Sequence, residues 1–93
     1  MLSKIPIQID EIDAKDLDKE ILRAGIIAEY DAINLYEQMA SLAQNENIKK
    51  VMLDVAKEEK EHVGEFQTLL LKLDDELEDE MKGGKEEVEE LTN

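Results

Sequence analysis

The chain has 93 residues, with 25 Asp or Glu against 11 Lys or Arg, a net charge of −14, and 42% hydrophobic residues. That length supports one small domain, and the acidity excludes a protein built to grip nucleic acid or an anionic membrane, since both need Lys and Arg against phosphate. The absence of Cys excludes disulfides, thiolate zinc sites and iron–sulfur clusters, and no run approaches the ~18 apolar residues of a membrane span.

Residues 1–12 read as an arm: Pro6 sits among Ile5, Ile7 and Ile9, which suits either an edge strand or an extended segment packed on a partner. No basic segment precedes an apolar run there, so a signal peptide is not expected, and the lack of Cys fits a reducing cytoplasm. Asp13 or Asp16 can cap a helix that runs from about Ala14 to Gln44. Asn45-Glu46-Asn47 interrupts it, Asn being a turn and cap residue. A second helix is predicted from Ile48 to Met81, broken by Gly83-Gly84. A short third helix follows over Lys85–Leu91, anchored by Val88 and Leu91. The predicted organisation is an arm (1–12), a helical hairpin (13–82) and a short C-terminal helix or tail (83–93). Three aromatics, one Pro and four Gly are too few for a β fold. The acidic residues 74–93 read as a solvated helix end or as a cation-attracting surface.

Helix 1 carries two adjacent apolar stripes. Ile21, Gly25, Ala28, Ala32, Leu35, Met39 and Leu42 alternate at spacings of four and three, the pattern of a packing seam. Leu22, Ile26, Glu29, Ile33, Tyr36, Ala40 and Ala43 lie beside it, apolar or aromatic except for Glu29. Together they predict one wide buried face. Helix 2 has the stripe Ile48, Met52, Val55, Glu59, His62, Phe66, Leu69 and Leu73, and a second through Ala56, Glu59, Val63, Phe66, Leu70 and Leu77. The polar residues on these faces are two glutamates and the only His in the chain. Met39, Met52 and Phe66 read as core, and Gly25 as a mark of close helix approach.

In an antiparallel hairpin turning near residue 46, Glu29, Glu59 and His62 lie roughly 25, 20 and 24 Å from the turn at about 1.5 Å per residue. Burying an unpaired carboxylate costs several kcal/mol or forces it to take up a proton, so three polar groups at one level require a common partner. Glu59-x-x-His62 is half of the motif that binds two metals in four-helix bundles, and a lone inward Glu on the facing helix is the other half. This chain carries one of each. A two-fold dimer of hairpins, completing a four-helix bundle, supplies the second set. Carboxylates and imidazole without sulfur suit iron or manganese and tolerate zinc. Tyr36, two turns after Glu29, is either a core tyrosine or a hydrogen-bond donor to a ligand carboxylate.

With these motifs the sequence resembles the encapsulated ferritins of the ferritin-like superfamily, most closely in EILRAGIIAEYDAINLYEQMA and DVAKEEKEHVGEF. The resemblance implies an all-α hairpin that dimerises into a ferritin-like four-helix bundle and builds a di-iron ferroxidase centre, two irons per dimer interface. Glu29, Glu59 and His62 match the family's iron ligands and Tyr36 a site-proximal tyrosine. One of the glutamates would bridge the irons and His62 would cap each. The resemblance further implies an annular decamer and packaging of the oxidised iron inside a cytoplasmic encapsulin shell. The tail MKGGKEEVEELT resembles archaeal members in which this domain is fused to the N-terminus of the shell protein. Two features depart from the family: its metal-access glutamates are reduced to Asp31, with Ala28 at the other position, and no Gly/Leu-type targeting peptide precedes Asn93, which implies fusion, truncation or another mode of targeting. The competing readings are a rubrerythrin-like peroxidase, which ordinarily uses a Cys-ligated iron, and a metal-free helical oligomerisation or adaptor module.

Overall fold

The structure is a computed structural model that describes residues 14–93. The arm expected over residues 1–12 and a cap at Asp13 lie outside the described residues. Three helices follow in order: α1 (Ala14–Leu42), α2 (Glu46–Leu73) and α3 (Asp75–Thr92).

The α1–α2 turn is set by Asn45. Its backbone is extended (φ −76°, ψ 123°), and its Oδ1 accepts from the N–H groups of Asn47 at 2.9 Å and Ile48 at 3.1 Å. Those donors would otherwise be left over at the start of α2. Four contacts then run in opposite order along the two helices: Arg23 to Asp74, Gly25 to Phe66, Glu29 to His62, and Glu37 to Lys60. They make α1 and α2 an antiparallel hairpin, as the stripes predict.

The buried apolar residues are Ala24, Ile33, Ala40, Ala56 and Leu70. The α1 stripe through Glu29 faces α2, with Ile33 and Ala40 buried. Its neighbour is largely open: Ile21 is 51% exposed and Leu42 80%. The single wide buried face expected of α1 is therefore half covered: α2 shields the stripe through Glu29 and meets the neighbouring one at Gly25, leaving Ile21, Ala28, Met39 and Leu42 exposed. The accessible surface of 7429 Å² exceeds the roughly 5,500 Å² of a compact protein of this mass. The radius of gyration, 16.6 Å, likewise exceeds the ~12 Å of a compact chain of this length.

α3 corrects two expectations. The second helix does not continue to Met81, and Gly83-Gly84 does not break it. The break falls at Asp74 (φ −139°, ψ 87°), and α3 runs through both glycines. The physical reason is a strong start signal. Asp74 Oδ1 accepts from Leu77 N–H at 3.0 Å, and Asp75, Glu76 and Glu78 complement the helix dipole in the first turn. The other carboxylate oxygen of Asp74 meets Arg23 Nη2 of α1 at 3.4 Å. The rest of α3 is loosely attached, with Gln67 donating to Met81 Sδ across the corner at 2.9 Å.

Two outcomes follow from α3. A Cβ at Gly83 or Gly84 meets nothing within 4 Å, so Gly83→Ala and Gly84→Ala should each stabilise α3 by about 1 kcal/mol, read as higher helicity by circular dichroism. The second concerns Asp74, whose carboxyl is held below the ordinary aspartate value of 3.8, chiefly by the Leu77 N–H, with Lys19 and Arg23 assisting and burial opposing. Its native pKa lies below its unfolded one, so its contribution is complete above the unfolded value and is lost as pH falls through the native value. Acid titration of the α3 amides by NMR should show this loss in the wild type. Asp74→Asn, which keeps the cap without the charge, should lack it.

Candidate metal centre

Glu29 projects from the middle of α1, and Glu59 and His62 from successive turns of α2. One ligand atom from each residue lies within 4.8 Å of the other two. His62 Nδ1 stands 3.5 Å from Glu29 Oε2 and 3.5 Å from Glu59 Oε2. The Glu59–His62 separation is internal to α2, set by the three-residue spacing. The Glu29–His62 separation crosses between helices and depends on how closely they pack.

The two carboxylates are mostly sequestered, with side-chain exposures of 17% for Glu29 and 19% for Glu59, while His62 is 44% exposed. Glu29 Oε2 is buried and has no hydrogen-bond partner. The His62 nitrogen at 3.5 Å is too distant to satisfy it. Buried carboxylate oxygens are normally paired, so an orphaned one beside another carboxylate and an imidazole is an arrangement that a cation could satisfy. The two separations from His62 Nδ1, 3.5 Å each, fit one: atoms bound at about 2.1 Å to a single ion stand about 3 to 3.5 Å apart. Two oxygens and a nitrogen without sulfur favour iron, manganese or zinc. Among the described residues this is the one such convergence of His and carboxylate groups.

The environment is apolar along the hairpin. Ile33 and Ala56, one turn toward the Asn45 end, are buried. One turn the other way, Gly25 and the Phe66 ring are in close contact, which bears out the close approach expected at Gly25. The sequence marks Phe66 only as core, and its pairing with Gly25 needs the helix register to be seen. The Arg23–Asp74 tie has no sequence signal beyond an acid that can cap a helix. Tyr36 is half-buried two turns after Glu29, and no hydrogen bond among the described residues joins it to the cluster. Asp31, also half-buried, is not a member of the triad. An apolar groove of about 400 Å³ lined by Asp18, Ile21, Leu22, Leu69, Lys72 and Leu73 lies about two turns from the triad and contains none of it.

A metal-free test separates a cation site from a structural polar cluster. Glu29→Leu should leave the melting temperature of chelator-treated protein unchanged, or raise it by the equivalent of about 1 kcal/mol, because a sequestered charge without a partner is removed. A fall of several degrees in thermal circular dichroism would make Glu29 a structural residue instead.

Comparison with known proteins gives consistent likenesses. A family model described as Rubrerythrin matches residues 20–92. The crystal structure of an encapsulated ferritin domain from Pyrococcus furiosus is similar over 99% of this chain and 94% of its own, with a TM-score of 0.84 at 56% identity. A ferritin-like–encapsulin shell fusion protein of Pyrococcus furiosus is 60% identical over 94 residues, 99% of this chain. The encapsulin nanocompartment cargo protein EncC of Myxococcus xanthus is 42% identical over 55 residues, 59% of this chain. The chain spans 27% of the length of the fusion protein and 42% of the cargo protein.

Proposed function

This chain belongs to the rubrerythrin family and is an encapsulated ferritin domain, close to the Pyrococcus shell-fusion protein; on that premise we propose that it is a ferroxidase, oxidising Fe²⁺ to Fe³⁺ at a centre shared by two copies of the chain. The observation that carries the reading is the unpartnered Glu29 oxygen facing Glu59 and His62. Two copies related by a two-fold axis bring together two such triads, the full ligand set of a two-iron site in a four-helix bundle. The open α1 stripe, with Ile21, Met39 and Leu42 exposed, supports a partner on the uncovered side of the hairpin.

Iron is the substrate. Each Fe²⁺ gives up one electron, and four electrons with four protons reduce one O₂ to two waters. Glu29 and Glu59 hold negative charge in a partly desolvated setting and thereby favour Fe³⁺ over Fe²⁺. His62, as neutral imidazole, donates a nitrogen. The net charge of −14 raises the local concentration of cations around the chain. Asp31 serves as an access carboxylate; Tyr36, which makes no hydrogen bond to the triad within one copy, donates to a ligand carboxylate only in the assembled pair. The likeness to shell-fusion and cargo proteins supports association with an encapsulin shell; the reading adds assembly as a ring of dimers, an annular decamer, that delivers Fe³⁺ inside a cytoplasmic shell, and this part rests on the family resemblance alone. The match to the rubrerythrin model favours a peroxidase as the second reading, although this chain has no Cys to hold a thiolate-ligated iron.

The test is Fe²⁺ oxidation by O₂, followed by oxygen consumption and ferric absorbance, with native mass measured on the same samples. Glu29→Ala, Glu59→Ala and His62→Ala should each slow it by more than about 100-fold, beyond the 10- to 100-fold typical of losing an outer contact to a ligand. A variant with wild-type rates removes that residue from the site. Oxidation by hydrogen peroxide but not by O₂ supports the peroxidase. A folded oligomer that turns over neither is an adaptor module.

A further inference from the structure

Gly25 stands four residues before Glu29 on α1, and Phe66 four residues after His62 on α2. In an antiparallel pair these two shifts move the same way, by one turn of about 5.4 Å. The Gly25–Phe66 contact is therefore the rung next to the Glu29–His62 rung. A Cβ placed on Gly25 would lie 3.2 Å from both Phe66 Cδ2 and Cε2, inside the ~3.5–4.0 Å optimum for carbon atoms. The ring seats close against the α1 backbone, and a Cβ at position 25 would fit only if the ring or the helix gave way by a few tenths of an ångström. Gly64, Gly83 and Gly84 have open space at the same point. Gly25 also has no positive φ to explain it, and glycine inside a helix costs about 1 kcal/mol relative to alanine.

We propose that Phe66, seated on Gly25, is a positioning residue for the metal ligands: the contact of ring with backbone sets the α1–α2 spacing at the next rung. The inference rests on the metal reading of Glu29, Glu59 and His62. Glu59 and His62 hold their separation within α2 whatever α1 does. Glu29 alone reaches the site across the gap, so its distance from His62, 3.5 Å here, is what the ring controls. A bulkier residue 25 pushes the helices apart at this rung and withdraws the Glu29 oxygen from the other two donors. A smaller residue 66 leaves the rung unfilled and the spacing undefined. Making both changes returns volume to the gap.

The test uses the full chain, stripped with chelator, and Co²⁺ as the probe, because its d–d absorption reports donor geometry without turnover. Gly25→Ala and Phe66→Leu should each weaken Co²⁺ binding by about 10- to 100-fold, the range for contacts that orient ligands, and shift the absorption bands. Gly25→Ala/Phe66→Leu should recover to within about threefold of wild type, the non-additivity of two residues in direct contact. Circular dichroism and native mass identify the folded samples. Wild-type affinity and spectrum in folded Gly25→Ala would overturn the inference, as would a double variant no better than the weaker single one. If Gly25→Ala does not fold, Phe66→Leu decides: unchanged Co²⁺ affinity overturns the proposal. Should the wild type bind no Co²⁺, or should Glu29→Ala bind it normally, the metal reading itself fails and takes the positioning role with it.

Discussion

Register between α1 and α2 is the constraint on which the rest of the molecule depends. Glu29 meets His62 only in this register: a slip of one turn would set it against the Phe66 ring in one direction and against Glu58 and Glu59 in the other. Three features hold the alignment. The capped turn at Asn45 fixes the hairpin end, and Lys60, which stands between Glu59 and His62 on α2, reaches Glu37 at 2.9 Å, two turns nearer the hairpin end than Glu29 on α1. Arg23 reaches Asp74 at the far end. Surface ion pairs contribute little stability individually. Distributed along a hairpin, they discriminate between registers that would bury similar apolar area.

The core that this register creates is thin. Three of the five buried residues among those described are alanines, which bring two backbones close together but bury little apolar surface each. A hairpin with so small an interior has limited stability of its own, and large apolar side chains such as Ile21, Ile48 and Leu69 are left half exposed. The economy is consistent with a chain whose folding and association are one process. It also suits a site between copies, since the face carrying His62 stays open rather than sealed by a third helix of the same chain.

Much of this is legible in the sequence because helices translate spacing into geometry. Glu29 interrupts an otherwise apolar stripe, Glu59 and His62 interrupt another, and the rise per residue puts them at one height. Which of the two α1 stripes meets α2 was not legible: both are apolar, and the choice depends on the partner helix. The α2–α3 boundary was hidden for a different reason. Asp74 sits in a run of acids in which any of several could cap a helix. Gly83-Gly84 offered a louder signal, yet an exposed helix tolerates glycine where nothing else competes for the chain. Gly25 was visible as a close approach. Its counterpart Phe66 looked like ordinary core, since a residue's role beside a ligand depends on what faces it.

The corner at Asp74 makes α3 a lever. Its 18 residues extend about 27 Å at 1.5 Å per residue, from a hinge one residue long. A rotation of about 10° there would sweep the far end through about 5 Å, on the order of one helical turn. The fulcrum is braced at Asp74, one carboxylate oxygen holding the start of α3 and the other reaching α1, with Gln67 donating to Met81 Sδ across the corner. Whatever is attached beyond Thr92 thus has its bearing relative to the hairpin set by the stiffness of that brace, and small changes in angle at the corner become large displacements at the tip.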